Sequence, residues 1–183
     1  GDLAETGVKA EFEWMCKAMQ ESNLPIISVI GNHDSISFGK EIWQDIFGPY
    51  DFSFTYQNSR YVAYNDNQYE FANVPDRDWL AQEAQPIDDL GWEHVIAVSH
   101  VPPWLPSESF DQQLKSNGYD LTVHGHESKF DFWQLANVQL PHYVTTQSRD
   151  PGFGLLDVHT GGPLVLKNCT LECVSATLRD VGL

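Results

Sequence analysis

Positive charge is scarce in this chain of 183 residues: 10 Lys and Arg stand against 26 Asp and Glu, a formal charge of −16. A protein that reads a phosphate backbone needs a basic stripe, so the balance argues against nucleic acid as a partner. It suits a protein that uses cations. Long apolar runs are also missing, since none approaches the ~20 residues of a membrane-spanning helix, and no membrane partner is expected. Cysteine is sparse and odd in number. Cys16, Cys169 and Cys173 form no disulfide framework and read as small buried hydrophobes in a reducing compartment. Cys169-x-x-x-Cys173 offers too few ligands for zinc. Neither a signal peptide nor a transit segment is visible. The chain opens on Gly1-Asp2-Leu3 without Met, so its start reads as cut. The expected location is cytoplasmic.

Hydrophobic residues make up 42% and charged residues 20%, which argues against disorder. With no repeat and no low-complexity linker, residues 1–183 read as one α/β domain. Val8, Phe12, Met15 and Met19 recur at helical spacing, and the helix stops before Pro25. Residues 25–30, Pro-Ile-Ile-Ser-Val-Ile, read as a buried strand. A short helix is expected over 39–47, then a hairpin from 52–56 and 60–64 around Gln57-Asn58-Ser59, and a polar loop over 66–75. A helix over 76–90 is broken or stopped at Pro86. Residues 94–99 read as a second buried strand, 101–108 as a proline-rich loop, 110–116 as helix and 121–123 as strand. Short strands come next at 134–137, 142–145, 154–158 and 164–170, with a turn at Gly161-Gly162.

Three polar clusters share one placement. Val29-Ile30 leads into Gly31-Asn32-His33-Asp34, Ala97-Val98-Ser99 into His100, and Thr122-Val123 into His124-Gly125-His126. Each sets His or Asn just past the C-terminal end of an apolar run, the edge at which open α/β sheets bind ligands. Gly1-Asp2 is a fourth case if a strand precedes it. Neutral imidazole, carboxylate and amide oxygen together suit a divalent transition metal. Taken singly, each His is more often a satisfied polar group than a ligand, and Asn-His-Asp reads as a helix cap or an Asx-turn. It is the recurrence that points to a metal.

Gly1-Asp2, Gly31-Asn32-His33-Asp34, His100-Val101-Pro102 and Gly125-His126 resemble, in order, the motifs GD, GNH[DE], H and GHxH of calcineurin-like metallophosphoesterases. Residues 1–7, GDLAETG, and 47–56, FGPYDFSFTY, look most like the branch containing class III cyclic-nucleotide phosphodiesterases. The resemblance extends to about Val158. It implies an αββα sandwich with two metals at the strand ends. It makes Asp2, Asn32, His100 and His126 the ligands of the second metal and His33, oriented by Asp34, the group facing the substrate. Two departures fall on the first metal: the family's Asp-x-His would lie upstream of Gly1, and Ser128 stands where the family has His. One complete site is therefore expected, with His124 or Glu127 as substitute ligands for the other. The donor set accepts Mn, Fe, Zn, Co or Ni.

In function, the resemblance implies a metal-dependent phosphodiesterase or phosphatase acting on a small phosphorylated substrate. The alternative is a catalytically impaired relative that binds metal or a phosphorylated ligand without turnover. A nuclease of the same superfamily is disfavoured by the charge. Trp104 and Trp133 read as loop residues near His100 and His126, which wall the cleft or pack on the core, the commoner role, or stack on an aryl or base group. A missing first strand would leave a sheet edge open, so weak metal binding and self-association through that edge are expected of the chain as it stands.

Overall fold

The computed structural model describes residues 1–86, 91–103, 108–147, 152–170 and 177–180. Helix α1 (Lys9–Gln20) starts where Glu11 turns back to accept hydrogen bonds from the Thr6 N–H and hydroxyl. Of its apolar stripe only Phe12 is fully buried, and it meets Trp43 of α2 (Gly39–Phe47) edge-on with ring centroids 6.3 Å apart. Between the two helices, His33–Ser35 form one 3-10 turn.

The expected hairpin is present as β1 (Phe52–Tyr56) and β2 (Ser59–Ala63), paired antiparallel. α3 (Arg77–Glu83) begins at Asp76, whose carboxylate accepts the Trp79 N–H at 2.9 Å, and ends short of Pro86. β3 (His94–Val98), α4 (Glu108–Ser116) and β4 (Leu121–His124) come after it. β5 (Asp131–Trp133) and β6 (His142–Val144) complete a sheet of order β1-β2-β3-β4-β6-β5. Its four central strands β2, β3, β4 and β6 run parallel, and both edges are antiparallel. β7 (Gly152–Asp157), β8 (Val165–Thr170) and β9 (Thr177–Asp180) form a second, antiparallel sheet.

Alternation along the strands decides the layers. Val62, Val95 and Ala97 face one side, where Leu80, Phe110 and Leu114 of α3 and α4 close a core. Ile96, Leu121 and Tyr143 face the other, against Leu166 of β8 and Leu164 just before it. Helix, sheet and sheet thus stack in order, the α/β sandwich class that the sequence implies.

Two strand expectations are corrected. Residues 25–30 lie in no ladder: no described strand pairs with them, and Ile26 and Ile27 are 47% and 54% exposed. β-branched composition favours extended backbone, but a strand also needs a neighbour for its N–H and C=O groups. The Ile30 carbonyl is satisfied instead by the Asn67 side-chain amide at 3.0 Å. Residues 134–137 form loop and turn, closed by N–H bonds from Val138 and Gln139 to the Leu135 carbonyl. The strand there comes earlier, at Asp131–Trp133, so Trp133 lies on β5 and not in a loop.

Candidate metal centre

Because β2, β3 and β4 are parallel neighbours, their C-terminal ends deliver to one edge the segments that come after them. β3 is followed by Ser99-His100 and β4 by Gly125-His126. His100 Nε2 lies 3.1 Å from Asp2 Oδ2 and 3.3 Å from His126 Nδ1, and His126 Nδ1 lies 3.0 Å from Asn32 Oδ1. Asp2, His100 and His126 are the one group of three or more His, Cys, Asp or Glu among the described residues whose donor atoms converge closely enough to hold a metal ion. All four ligands expected from the sequence therefore meet at one point.

Left-handed backbone occurs here, as it does at Ser37, Gln57, Asn73 and Gln139 elsewhere among the described residues. Asp2 (φ 58°) and His126 (φ 67°) both occupy the left-handed region, which costs a non-glycine residue about 1 kcal/mol or more and persists only where the surroundings hold it. Gly31 has to be glycine, because a Cβ there would run into the Asp2 carboxylate and backbone nitrogen.

Electrostatics favour the ligating forms. Burial pushes His100 below its ordinary value against the opposing bond to Asp2, so the free-base imidazole dominates at neutral pH. Burial of Asp2 works against its charge, but the bonds to the His100 ring and the His33 N–H outweigh it and hold the carboxyl below its ordinary value. Two imidazole nitrogens, a carboxylate oxygen and an amide oxygen at one point form a donor set that fits a divalent transition metal.

The other expected site residues separate into distinct roles. Asp34, expected to orient His33, is fully buried and accepts the backbone N–H groups of Asp2, Ala4 and Gly31, each at 2.8 Å. It clamps the Asp2 segment to the Gly31–His33 turn. The ring of His33 turns to Glu5 instead, with Nδ1 3.0 Å from the Glu5 carbonyl oxygen. That bond is the first cause of a pKa raised above the ordinary histidine value.

His124 stands outside the converging group. Its ring is buried behind the strand end, with Nδ1 2.7 Å from Ser99 Oγ and Nε2 3.0 Å from Thr122 Oγ1. Burial, reinforced by His142, drives its pKa well below the ordinary value. Glu127 lines a separate cavity of about 260 Å³ with Lys129 and Trp133, outside the converging group. Trp133 stacks on His142 with centroids 5.0 Å apart and planes 4° apart, and lies parallel to the His124 ring as well. Trp104 lies outside the described residues, as does Cys173.

Sequence reasoning missed the third segment at this edge. β2 runs on into Asn65-Asp66-Asn67, the same arrangement of apolar strand and polar cluster seen at the histidines. Asp66 is buried, accepts the N–H of Val101 next to His100 at 3.2 Å, and is pushed by burial up to about 7. A cavity of about 520 Å³ opens here, bounded by Asn32, His126, Asp66, Tyr64 and Phe110 among others.

Residues 1–130 match the family model described as calcineurin-like phosphoesterase. No curated protein matches the chain. Among solved structures, a purple acid phosphatase from seeds of yellow lupin (Lupinus luteus) superimposes with a TM-score of 0.61 at 13% identity, covering 82% of this chain and 36% of that one. The anchor in the inner membrane complex of Plasmodium superimposes with a TM-score of 0.61 at 11% identity, covering 98% of this chain and 75% of that one. Both likenesses are of fold. The chain thus spans about a third of the length of the lupin enzyme. Among the described residues no helix is long and apolar enough to cross a membrane.

Proposed function

From the premise that this chain belongs to the calcineurin-like phosphoesterase family, we propose that it hydrolyses a phosphoester bond with one divalent metal held by Asp2, Asn32, His100 and His126. The observation that carries this reading is the convergence of those four donors. A bound divalent ion supplies Lewis-acid polarisation of the phosphoryl oxygen. The rest falls to the chain's own side chains. Asp34 holds the Asp2 segment and the Gly31 turn in register, so that carboxylate and amide reach the same point. His33 donates Nδ1–H to the Glu5 carbonyl, so the general acid is the imidazolium, whose Nε2–H passes to the leaving oxygen and leaves the neutral ring still bonded to Glu5.

Among the described residues neither Glu127 nor His124 joins the converging group, and Ser128 is exposed, which supports one metal per chain over two. The test is metal content by mass spectrometry after exchange into metal-free buffer, paired with hydrolysis of a chromogenic aryl phosphodiester before and after chelation. The expected result is one ion per chain or fewer, with turnover that chelation abolishes and the metal restores. Two tightly held ions would overturn the single site. One ion without turnover would favour the binding protein without catalysis.

A paired substitution tests the geometry. Gly31→Ala is expected to weaken metal binding by tenfold or more, because the new methyl displaces Asp2. Gly125→Ala places its Cβ 3.5 Å from His100 Nδ1, an ordinary contact, and is expected to bind as the parent does. Calorimetric titration of both variants decides this, and equal affinities would remove Asp2 from the ligand set.

A further inference from the structure

The cavity beside the metal centre is built mainly from apolar walls, with Tyr64, Phe110, Val101 and Pro102 among them. Its charged groups are Asp66, Glu70 and Arg77, and Arg77 is the only cation on the lining. Three other cations of this acidic chain pair with carboxylates, Arg60 with Glu83, Lys167 with Asp157 and Lys9 with Glu13. Arg77 has no such partner among the described residues. Its guanidinium instead lies over the Phe110 ring, 5.0 Å from the centroid. A cation–π contact restricts the side chain without consuming its N–H donors. Arg77 is exposed at the rim of the cavity, and its planar guanidinium, unpaired among the described residues, can take a carboxylate or phosphate in a forked pair. Glu70 limits how much negative charge the cavity tolerates, which favours one further anionic group over a polyanion.

We infer that this cavity takes the organic part of the substrate and that Arg77 reads a second anionic group on it, away from the bond that is cleaved. This rests on the proposed hydrolase reading, and it adds the class of substrate: a phosphoester whose alcohol part carries a carboxylate or a further phosphate. Phe110 and Tyr64 offer that part aromatic surface, and the cavity volume of about 520 Å³ accommodates a group of one or two rings.

The experiment compares phenyl 4-nitrophenyl phosphate with its 4-carboxyphenyl and 4-phosphonophenyl analogues, all releasing the same chromophore, on the metal-loaded chain. One charge-assisted contact predicts a kcat/KM preference of about tenfold for an anionic analogue. The preference is expected to collapse toward unity in Arg77→Ala and to return in part in Arg77→Lys. Whether the carboxylate or the phosphonate gains more identifies which anion is read. A parent enzyme that treats all three alike, or a preference that survives in Arg77→Ala, would overturn the inference while leaving the hydrolase reading intact. If none of the three is hydrolysed, the hydrolase reading fails, and binding still decides the role of Arg77. Calorimetry with 4-carboxybenzylphosphonate and benzylphosphonate should then show the same tenfold preference and the same loss in Arg77→Ala. Equal affinities would remove Arg77 from the site.

Discussion

His33→Ala should lower kcat by about 10²–10⁴-fold, the usual contribution of a positioned general acid, while metal content stays within error of the parent's. Two observations separate the roles. The contact His33 makes with Asp2 runs through its backbone, N–H to Asp2 Oδ1 at 3.0 Å, and that bond survives truncation of the ring. The ring itself faces Glu5, not the converging donors, so its removal takes no atom from Asp2, Asn32, His100 or His126. Activity and bound metal are to be measured on the same preparation. Parallel loss of both would make His33 a ligand, whereas unchanged turnover would remove it from the chemistry altogether. A substrate with a good leaving group, such as 4-nitrophenolate, should suffer less than an alkyl ester, because proton donation matters most where the leaving oxygen is basic.

The second large effect is on stability and arises behind the metal centre. Asp111, on α4, is fully buried, and its carboxyl has a single near partner among the described residues, His142 Nε2 at 3.2 Å. On its other side, His142 Nδ1 meets Thr122 Oγ1 at 2.7 Å and His124 Nε2 at 3.3 Å, and His124 Nδ1 meets Ser99 Oγ. The chain from Asp111 to Ser99 ends one residue before the proposed ligand His100. His142→Leu leaves the Asp111 carboxyl buried and alone, at an expected cost of about 3–5 kcal/mol. Asp111→Leu strands the imidazole and should cost about 1–3 kcal/mol. The double variant should recover most of the loss, because no polar group is then left without its partner. Urea unfolding of the four proteins gives the cycle. Additive losses would show that the pair is not coupled. If the chain also fixes the ring of His100, metal affinity should fall in either single variant.

The residues determine, without a structure, the set of motifs and their order. Gly31-Asn32-His33-Asp34, His100 and Gly125-His126 each follow a legible apolar run, and the family match over residues 1–130 spans them and Gly1-Asp2. The α/β class and most helices are equally legible, because periodicity and proline are local signals that survive without tertiary context. Which strands become neighbours is not local. The run at 25–30 has strand composition yet joins no ladder, because pairing needs a second chain segment beside it. His124 and His126 show the same limit at one residue pair. Two residues apart in a strand, they should share a face. The left-handed turn at His126 sends that ring to the metal centre, while His124 stays in the core against Ser99 and Thr122. His33 and Asp34 are adjacent in sequence, yet one faces Glu5 and the other holds three backbone amides, because a 3-10 turn points consecutive side chains apart. Arg77 and Phe110 meet across separate helices, and nothing in either segment marks the other. Spacing along the chain names the donor atoms; only the folded backbone decides which of them point to the same place.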